Sequence, residues 1–366
     1  MSSSGMPAWS RFLPQPPDET GSVPFASAHA GRRVLVTGAG GYIGAALVKA
    51  IADGGPGGIV LLDSSEYNLF EVQRYLESAG NQVPYEAVLG TVNDADLLDS
   101  IFSRYRPEII YHAAAFKHVP LLKLNPIAAV QNNAIGTWAL AQAAIRHGAS
   151  TFVLISTDKA VNPHSVMGAS KRIAELATVA LSTTACRMNA IRLVNVIGSG
   201  GSVVPVFLKQ IAECRPLTVT HPEVTRWFLS LRETVVAVLA CGTAACGAAA
   251  CEGRILLPER GEPVRIAELA EFLIRVSRKE ILIEFTGLRP GDKLTEELTY
   301  KNEVTDGFAG GPLEIIRTCR RTPADLEDAI ERLSARIAAR DVSGLIRTLS
   351  SIVPEYVPSD LLRVRL

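Results

Sequence analysis

The residues that could do chemistry are concentrated between positions 156 and 172. Thr157, Asp158 and Lys159 follow the apolar run 152–155, which is typical of a buried parallel strand. Open α/β sheets place their ligands at the carboxyl ends of such strands. A hydroxyl, a carboxylate and an amine at this position therefore predict a site of proton transfer. The alternative is a surface ion pair between Asp158 and Lys159.

A helix is predicted to begin near residue 166 and to carry Met167 and Lys171 on one face, because the two residues are four positions apart. The lysine amine can donate hydrogen bonds, whereas methionine offers only a weakly accepting sulfur. Met167 therefore cannot act as an acid or a base. Proton transfer at this site must fall to Asp158 or to a water relay.

A glycine-rich turn lies between a predicted strand at 32–36 and a predicted helix at 45–52. In a dinucleotide-binding turn, Gly38 would permit the tight bend, Gly41 the approach of the pyrophosphate, and Gly44 close helix packing. The amino terminus of the helix would supply N–H donors for the phosphates. A structural turn without a nucleotide is the alternative. The predicted cofactor contacts of this turn are Thr37, Gly38, Gly40, Gly41, Tyr42, Ile43 and Gly44.

The next predicted strand, 59–63, ends in Asp63, which lies 19 residues beyond Gly44. A carboxylate at this spacing can accept hydrogen bonds from both hydroxyls of the adenosine ribose. It would repel a 2′-phosphate, so the sequence favours NAD over NADP. Asp63 and its neighbour Ser64 are the predicted contacts on this side of the cofactor.

Strands alternate with helices through the first 200 residues. Such alternation predicts an α/β fold, a doubly wound parallel Rossmann sheet. Beyond those already named, strands are predicted at 85–89, 109–111 and 190–194, and helices at 68–79 and 94–105.

The strand at 109–111 is predicted to lead into a loop of small and basic residues, 112–120. Its alanines leave room for a cofactor to pass over the strand end, and its basic side chains could reach a phosphate or a sugar. A solvated loop is the alternative. The predicted cofactor contacts here are Ala113, Ala114, Ala115, Lys117 and, on the following helix, Asn133; the predicted substrate contacts are Lys117 and His118.

The second half of the chain predicts a smaller α/β domain for the substrate. Residues 1–31 are predicted to be a flexible tail, 32–200 an NAD-binding domain with strands returning from later segments, and 201–366 mostly the substrate domain. Two amphipathic helices within 323–352 are predicted to close this smaller domain.

Three turn-rich segments of the second half predict substrate contacts. The loop 195–205 is rich in glycine and therefore suited to close approach by a ligand. Arg226 and Arg289 each lie among turn residues, and guanidinium groups suit a diphosphate. Either arginine could instead form a surface ion pair. The predicted contacts are Asn195, Ser202, Val203, Arg226 and Arg289.

The composition excludes some classes of partner. The 37 basic and 37 acidic residues balance, which argues against nucleic acid or an anionic membrane surface as a partner. The six cysteines are scattered without CxxC pairs, which predicts reduced thiols and no metal site. The uncharged segment 234–251 consists mostly of small residues, and the chain shows no signal peptide, so we expect a cytoplasmic protein without membrane insertion.

Five segments together resemble one family: 112–120, 156–172, 195–205, 218–228 and 287–298. The chain resembles the CapD-like polysaccharide-biosynthesis proteins, nucleotide-sugar 4,6-dehydratases of the extended short-chain dehydrogenase/reductase superfamily. The resemblance covers about residues 32–358. That superfamily usually has a tyrosine where this chain has Met167. Further departures, which bear on sugar specificity more than on the chemistry, are Thr91, Val194 and His164–Ser165.

The resemblance implies an NAD-dependent lyase acting on a UDP-sugar, UDP-N-acetylglucosamine above all, and a homo-oligomer. It implies that Lys159 takes the C5 proton, that Asp158 protonates the C6 oxygen, and that Thr157 hydrogen-bonds near the C4 oxygen. Lys171 would bind the nicotinamide ribose. Burial and the Lys171 charge would lower the pKa of Lys159 while Asp158 would raise it, and the sequence leaves that balance open.

Two other functions fit parts of the pattern. A nucleotide-sugar C4 epimerase or simple dehydrogenase would use the same fold, but those enzymes usually rely on the tyrosine that Met167 replaces. A non-catalytic regulator that binds NAD or a nucleotide sugar would have no need of Asp158, Lys159 and Lys171 together.

Overall fold

The computed structural model describes residues 23–78, 83–243, 253–308, 312–318 and 321–358. Its strands, in chain order, are β1 (Arg33–Thr37), β2 (Gly58–Asp63), β3 (Tyr85–Leu89), β4 (Ile109–His112), β5 (Thr151–Thr157), β6 (Arg187–Leu193), β7 (Asn195–Val196), β8 (Leu217–Val219), β9 (Thr225–Arg226), β10 (Phe228–Leu229), β11 (Ile255–Pro258), β12 (Val264–Arg265), β13 (Ile283–Phe285), β14 (Val304–Phe308) and β15 (Leu313–Arg317).

The helices, in chain order, are α1 (Tyr42–Asp53), α2 (Glu66–Ser78), α3 (Ala95–Tyr105), α4 (Val119–Leu124), α5 (Pro126–Val130), α6 (Gly136–Arg146), α7 (Val166–Leu181), α8 (Val203–Ala212), α9 (Leu231–Gly242), α10 (Ile266–Ser277), α11 (Pro323–Ala338) and α12 (Val342–Ile352). Short 3₁₀ turns lie at Ala26–His29 and Asp158–Ala160, and a π-helical turn lies at Gln131–Ile135.

Nine strands form one sheet in the order β14-β15-β11-β6-β5-β4-β1-β2-β3. The strands from β11 to β3 are parallel, whereas β15 and β14 add antiparallel at one edge. The chain leaves β1 towards β2 on one side and returns to β4 on the other. A crevice opens at such a switch point, and ligands bind there in doubly wound sheets. The predicted Rossmann-type fold is confirmed.

The parallel strands are buried on both faces. In β5 every residue from Thr151 to Ser156 is buried, and β1, β2 and β4 show similar runs. Helices cover both faces of a parallel sheet, so its strands need apolar side chains on each face. The same apolar runs predicted these strands from the sequence.

A second apolar cluster forms the core of a smaller domain. Val204, Phe207 and Ile211 of α8 pack with Leu269 and Leu273 of α10. The paired strands β8 and β13 contribute to the same cluster. The strands β11, β14 and β15, although they come late in the chain, belong to the central sheet.

The last two helices are placed differently from the sequence prediction. Leu326 and Leu333 of α11 and Leu345 of α12 belong to the main apolar core, and both helices contact α7. The prediction that these helices close the smaller domain is therefore wrong. Almost every residue of α7 is buried, so α7 needs helices packed on its outer side as well as the sheet on its inner side.

The predicted flexible tail is also shorter than expected. The Ala26–His29 turn packs against α1, and its His29 side chain is fully buried. The His29 imidazole lies 2.9 Å from the Ala26 carbonyl oxygen and 2.7 Å from the Tyr111 hydroxyl. A flexible tail through residue 31 is therefore wrong for its last residues; positions 1–22 lie outside the described residues.

Four charged side chains are buried together behind the end of β5. Arg192 donates to Glu175 through Nε and Nη2, at 2.9 Å each, and to Glu303 through Nη1 at 2.6 Å. Arg172 donates to the same two carboxylates at 3.0 and 3.2 Å. Arg192, Glu175 and Glu303 have no exposed side-chain surface. We call Arg172, Glu175, Arg192 and Glu303 the charge cluster.

The charge cluster connects elements that are far apart in the sequence. The Ser156 hydroxyl, at the end of β5, donates to Glu175 at 2.7 Å. The backbone N–H of Tyr300 donates to Glu303 at 2.9 Å, and the Tyr300 ring lies 4.3 Å from the Arg172 guanidinium. The cluster thus fixes the segment before β14 against α7 and β6. Its two positive and two negative charges are each paired, which burial requires.

We expect Arg192→Met to lower the free energy of unfolding by about 3–5 kcal/mol, because it leaves two carboxylates buried without their main partner. Denaturant unfolding followed by circular dichroism measures this loss.

The control is Arg146→Met, which breaks the exposed Arg146–Asp99 pair on the surface. That variant should have the same free energy of unfolding as the wild type, since exposed ion pairs add little to stability. Equal stability of both variants would contradict the role assigned to the charge cluster.

Candidate active site

The glycine turn between β1 and α1 has the shape of a dinucleotide cradle. Gly38 has a φ of +67°, and a Cβ atom there would lie 2.6 Å from the Ala114 backbone nitrogen at the end of β4. A Cβ on Gly44 would lie 1.9 Å from the Gly38 carbonyl oxygen. Side chains at these positions would collide with backbone atoms, so the close approach of the turn to β4 and to α1 requires glycine. The carboxyl ends of β1 and β4 therefore meet at the switch point of the sheet.

Asp63 is held at the rim of this cradle. It is 9% exposed, and its carboxylate accepts hydrogen bonds from the backbone N–H groups of Gly40 and Ser65, both at 2.8 Å. Ser64 beside it is exposed. The carboxylate is thus fixed at the end of β2, where a ribose would be recognised and where a 2′-phosphate would meet a like charge. The residues of the turn fit a dinucleotide.

The loop after β7 lies across the glycine turn. The Tyr42 hydroxyl donates to the Ile197 carbonyl oxygen at 2.9 Å. Gly201 has a φ of +71°, and a Cβ there would lie 2.5 Å from the His118 ring. The loop therefore brings a predicted cofactor contact, Tyr42, and a predicted substrate contact, His118, to the same glycine-rich segment.

The other predicted contacts of this loop are anchored beside it. Asn195 bonds through its side chain and its backbone N–H to the Trp227 carbonyl oxygen, both at 3.2 Å. Ser202 precedes the first residue of α8, Val203. The buried Ser202 hydroxyl has no hydrogen-bond partner in the described ranges.

The Asp158–Lys159 pair is not a surface ion pair, because Asp158 is fully buried. Asp158 Oδ1 accepts hydrogen bonds from the Thr157 hydroxyl and from Lys159 Nζ, both at 2.9 Å. Asp158 Oδ2 is buried and has no hydrogen-bond partner among the described residues. The Lys159 side chain is 27% exposed, whereas the Asp158 side chain has no exposed surface.

The charge of Lys159 depends on the balance between its burial and the charges around it. Burial lowers the pKa of Lys159, but the charges of Asp158 and Glu296 raise it more, and the pKa lies above its ordinary value. The cation that lowers it is Arg226, whereas the sequence analysis had named Lys171 for that effect. Lys159 therefore carries a proton in this state of the protein.

Met167 and Lys171 lie on the buried side of α7. Met167 is 3% exposed and Lys171 4% exposed. Lys171 Nζ donates to the Ile155 carbonyl oxygen at 2.7 Å. Burial lowers the pKa of Lys171 to about 8, although the charge of Glu175 raises it. The amine is thus tied to β5 and is close to losing its proton near neutral pH.

A chain of hydrogen bonds runs behind this face. The Thr137 hydroxyl donates to the Asn133 carbonyl oxygen at 2.7 Å, so it must accept from His112 Nε2 at 2.8 Å. His112 Nδ1 then accepts from the Thr37 hydroxyl at 2.7 Å. This arrangement fixes the neutral His112 tautomer, and burial with the nearby Lys171 charge lowers the pKa of His112 to about 3.

Asn133 holds the loop after β4. Its side chain accepts from the Phe116 N–H and donates to the Phe116 carbonyl oxygen, both at 2.9 Å. This fixes the segment that carries Ala113, Ala115 and Lys117. Partial burial and the Lys159 charge lower the pKa of Lys117.

The two predicted arginines differ in their surroundings. Arg226 donates to the backbone carbonyl oxygens of Thr225, Lys293 and Leu294 at 2.7–3.0 Å. Arg289 is 62% exposed, and its Nε donates to Asp292 at 2.9 Å. Arg289 is therefore accessible on the surface, whereas Arg226 is turned towards the segment 293–296.

Several residues that shape this site are not predicted from the sequence. Glu175 and Arg192 were not singled out, although an arginine inside an otherwise apolar strand was a signal that it needed a buried partner. Glu296 gave no local signal. Its place beside Lys159 depends on contacts between segments more than a hundred residues apart.

The described residues contain no helix that is long and apolar enough to cross a membrane. In the same ranges, His, Cys, Asp and Glu side chains form no group of three that could hold a metal ion. Cys246 and Cys251 lie outside the described residues.

Fold and site together define a Rossmann-type protein with a glycine-rich turn that fits a dinucleotide and a buried Asp158–Lys159 ion pair. The family model described as polysaccharide biosynthesis protein matches residues 34–311. The chain belongs to that family, and the predicted resemblance is confirmed.

Individual relatives support this family assignment. The chain is 42% identical over 279 residues to the capsular polysaccharide biosynthesis protein CapD of Staphylococcus aureus, covering 75% of this chain and 46% of that protein, about half its length. It is 32% identical over 287 residues to a UDP-N-acetylglucosamine 4,6-dehydratase (inverting) of Campylobacter jejuni, covering 75% and 81%. The solved structure of Pen from Bacillus thuringiensis has a TM-score of 0.71 and 26% identity, covering 80% and 91%.

We expect Gly168→Ala to destabilise the protein by about 1–3 kcal/mol, because overpacking forces the backbone to move. A Cβ on Gly168 would lie 2.1 Å from the Lys159 carbonyl oxygen, so the turn that carries Asp158 and Lys159 must shift. Thermal unfolding measures the loss.

Gly200→Ala is the matched control, since a Cβ there meets nothing within 4 Å. It should melt with the wild type. If Gly168→Ala had the same melting temperature as Gly200→Ala and the wild type, α7 and the turn would not be in such close contact.

Proposed function

We propose that the chain is an NAD-dependent 4,6-dehydratase of a UDP-hexosamine, with UDP-N-acetylglucosamine as the first candidate substrate. The observation that carries the proposal is the buried Asp158 carboxylate, bonded to the amine of the partly exposed Lys159 side chain at the end of β5. The relative from Campylobacter jejuni named for this reaction supports it.

The reaction explains why the site needs both an acid and a base. The C5 proton of a hexose is too weakly acidic to remove until C4 is a ketone. Bound NAD would accept the C4 hydride and return it to C6. The protein then has to remove a proton from C5 and deliver one to the departing C6 oxygen.

One proton transfer would prepare Lys159 and Asp158 for these roles. In the resting state the pair is an ammonium and a carboxylate, joined at 2.9 Å. If the proton moves along this bond, the Lys159 N–H bond breaks and an Asp158 O–H bond forms. The products are a neutral amine and a carboxylic acid, which are the base and the acid that the elimination requires. Displacing water from the site by substrate favours this neutral pair.

Thr157 would hydrogen-bond near the C4 hydroxyl, and Lys171 would bind the cofactor. The Thr157 hydroxyl already donates to Asp158, so Thr157 is placed to hydrogen-bond near the C4 oxygen. Because Asp158 would by then hold the Lys159 proton, the C4 hydroxyl proton would leave through a water relay to solvent, and solvent would return one proton to Lys159 at the end of the cycle. This route needs no tyrosine, which agrees with Met167. We assign Lys171 to the nicotinamide ribose and Asp63 to the adenosine ribose.

We assign the substrate to the side of the crevice opposite the cofactor contacts. Lys117, His118, Asn195, Ser202 and Val203 border the loop over the glycine turn. The exposed Arg289 is the guanidinium best able to reach a diphosphate. The Arg226 guanidinium donates hydrogen bonds to backbone carbonyl oxygens. Arg226 would therefore act mainly by holding the segment 293–296 in place.

We expect the purified protein to convert UDP-N-acetylglucosamine to a product lighter by one water, without added NAD, because the hydride is only borrowed. Mass spectrometry of the product checks this, and extraction of the protein should release NAD. A product of unchanged mass would indicate an epimerase instead. Release of NADP would contradict the role given to Asp63.

We expect wild-type enzyme in deuterated water to place deuterium at C5 of the product, since C5 is protonated again from the protein after the elimination. Lys159→Ala should lose both turnover and this exchange, and Asp158→Asn should fail at the elimination. Acid–base groups typically supply ~10²–10⁴-fold in rate, so losses of at least that size are expected. NMR of the product and initial rates measure them.

The control for these variants is Lys209→Ala, which removes a lysine that is 76% exposed. It should keep the wild-type rate. Near-normal dehydration by Lys159→Ala would move the base assignment to Lys117 or His118.

A further inference from the structure

A buried carboxylate lies on the segment that packs against the turn after Lys159. Glu296 follows β13 in the chain, and its side chain is 5% exposed. Its Oε1 lies 3.5 Å from Arg226 Nη2, and its Oε2 lies 3.9 Å from Lys293 Nζ. Glu296 Oε2 has no hydrogen-bond donor within the described part of the chain. The negative charge is therefore buried and only loosely paired.

The segment that carries Glu296 is fastened to the turn after Lys159. Lys293 Nζ donates to the Val161 carbonyl oxygen at 2.8 Å, and the Tyr300 hydroxyl donates to the Ala160 carbonyl oxygen at 2.6 Å. Asn162 Nδ2 donates to Glu297 at 2.7 Å. Three hydrogen bonds to three consecutive residues hold this segment against the turn of Asp158 and Lys159.

Two buried carboxylates thus belong to segments that are fastened together, and each has an oxygen without a donor: Asp158 Oδ2 and Glu296 Oε2. Like charges repel, so two buried carboxylates in one site need neighbouring cations. Lys159, bonded to Asp158 at 2.9 Å, is one of these cations. Arg226 and Lys293 face Glu296 from the other side, and Lys117 is the further cation near Lys159.

We propose that Glu296 is a positioning residue that keeps Lys159 charged and bound to Asp158 until substrate enters. The inference rests on the proposed dehydratase function, in which Lys159 must lose its proton to act as the base. Glu296 opposes that loss, because its negative charge favours the ammonium over the neutral amine. The segment that carries Glu296 would in this way set when the acid–base pair becomes reactive.

The pKa directions agree with this geometry. Burial lowers the pKa of Lys159, and Asp158 and Glu296 raise it beyond the ordinary value. Burial raises the pKa of Glu296, the charge of Asp158 raises it further, and Lys159, Arg226 and Lys293 lower it. Removing the Glu296 charge should therefore lower the pKa of Lys159.

The test is a direct titration of Lys159 that needs no substrate. Protein labelled with ¹³C at the lysine Cε is followed by NMR from pH 7 to 12, and Lys159→Ala identifies the signal. We expect Glu296→Gln to lower the titration midpoint by about one pH unit, the scale on which a single neighbouring charge acts. An unchanged midpoint in Glu296→Gln overturns the inference.

Glu297→Gln is the matched control. It removes the same charge one residue away, from a side chain that is 49% exposed and bonded to Asn162. Its Lys159 midpoint should stay at the wild-type value, and an equal shift in both variants overturns the inference. Glu296→Asp keeps the charge and should return the midpoint towards wild type; a midpoint like that of Glu296→Gln would count against a charge effect.

Activity gives a second readout. If the base must be neutral, the acidic limb of the kcat/KM profile lies at the pKa of Lys159 in the free enzyme. Glu296→Gln should move that limb to lower pH, and Glu297→Gln should not. Absence of dehydration in the wild type would remove the proposed function, whereas an unmoved NMR midpoint would remove only the role of Glu296.

Discussion

The buried charge cluster is the constraint on which the rest of the site depends. Arg192 is fully buried within β6, and its charge is tolerable only because Glu175 and Glu303 accept its hydrogen bonds. Glu303 comes from the segment before β14, so the late part of the chain must fold back on α7 and β6 to satisfy it. Ser156, two residues before Asp158, donates to the same cluster.

That requirement brings the late segment 293–303 to the end of β5. Tyr300 stacks on the Arg172 guanidinium and also bonds to the Ala160 carbonyl oxygen. Lys293 bonds to the next carbonyl oxygen, that of Val161. The reactive turn is therefore held between the Rossmann sheet beneath it and a segment that arrives from the far end of the chain, and Glu296 lies at the junction.

The charges of the site favour an ion pair. Lys159 and Asp158 are joined at 2.9 Å as an ammonium and a carboxylate, and Glu296 adds a second negative charge that favours the ammonium. Under the proposed function, the elimination would need a neutral amine and a protonated acid, which differ from the ion pair by one proton moved from Lys159 Nζ to Asp158 Oδ1. A substrate that displaces water would change this balance, which would be a physical reason for reaction only when the site is occupied.

The sequence by itself determined the Rossmann-type fold, the glycine cradle, Asp63, and the placing of Thr157, Asp158 and Lys159 at a strand end. These features follow from local periodicity and from spacings of a few residues, which the chain carries in any context. The tertiary structure decided the charge of Lys159, the packing of α11 and α12 on α7, the turn of Arg226 towards backbone carbonyls, and the position of Glu296. Each of these depends on burial and on contacts between distant segments, and a one-dimensional pattern does not record which charges meet inside the fold.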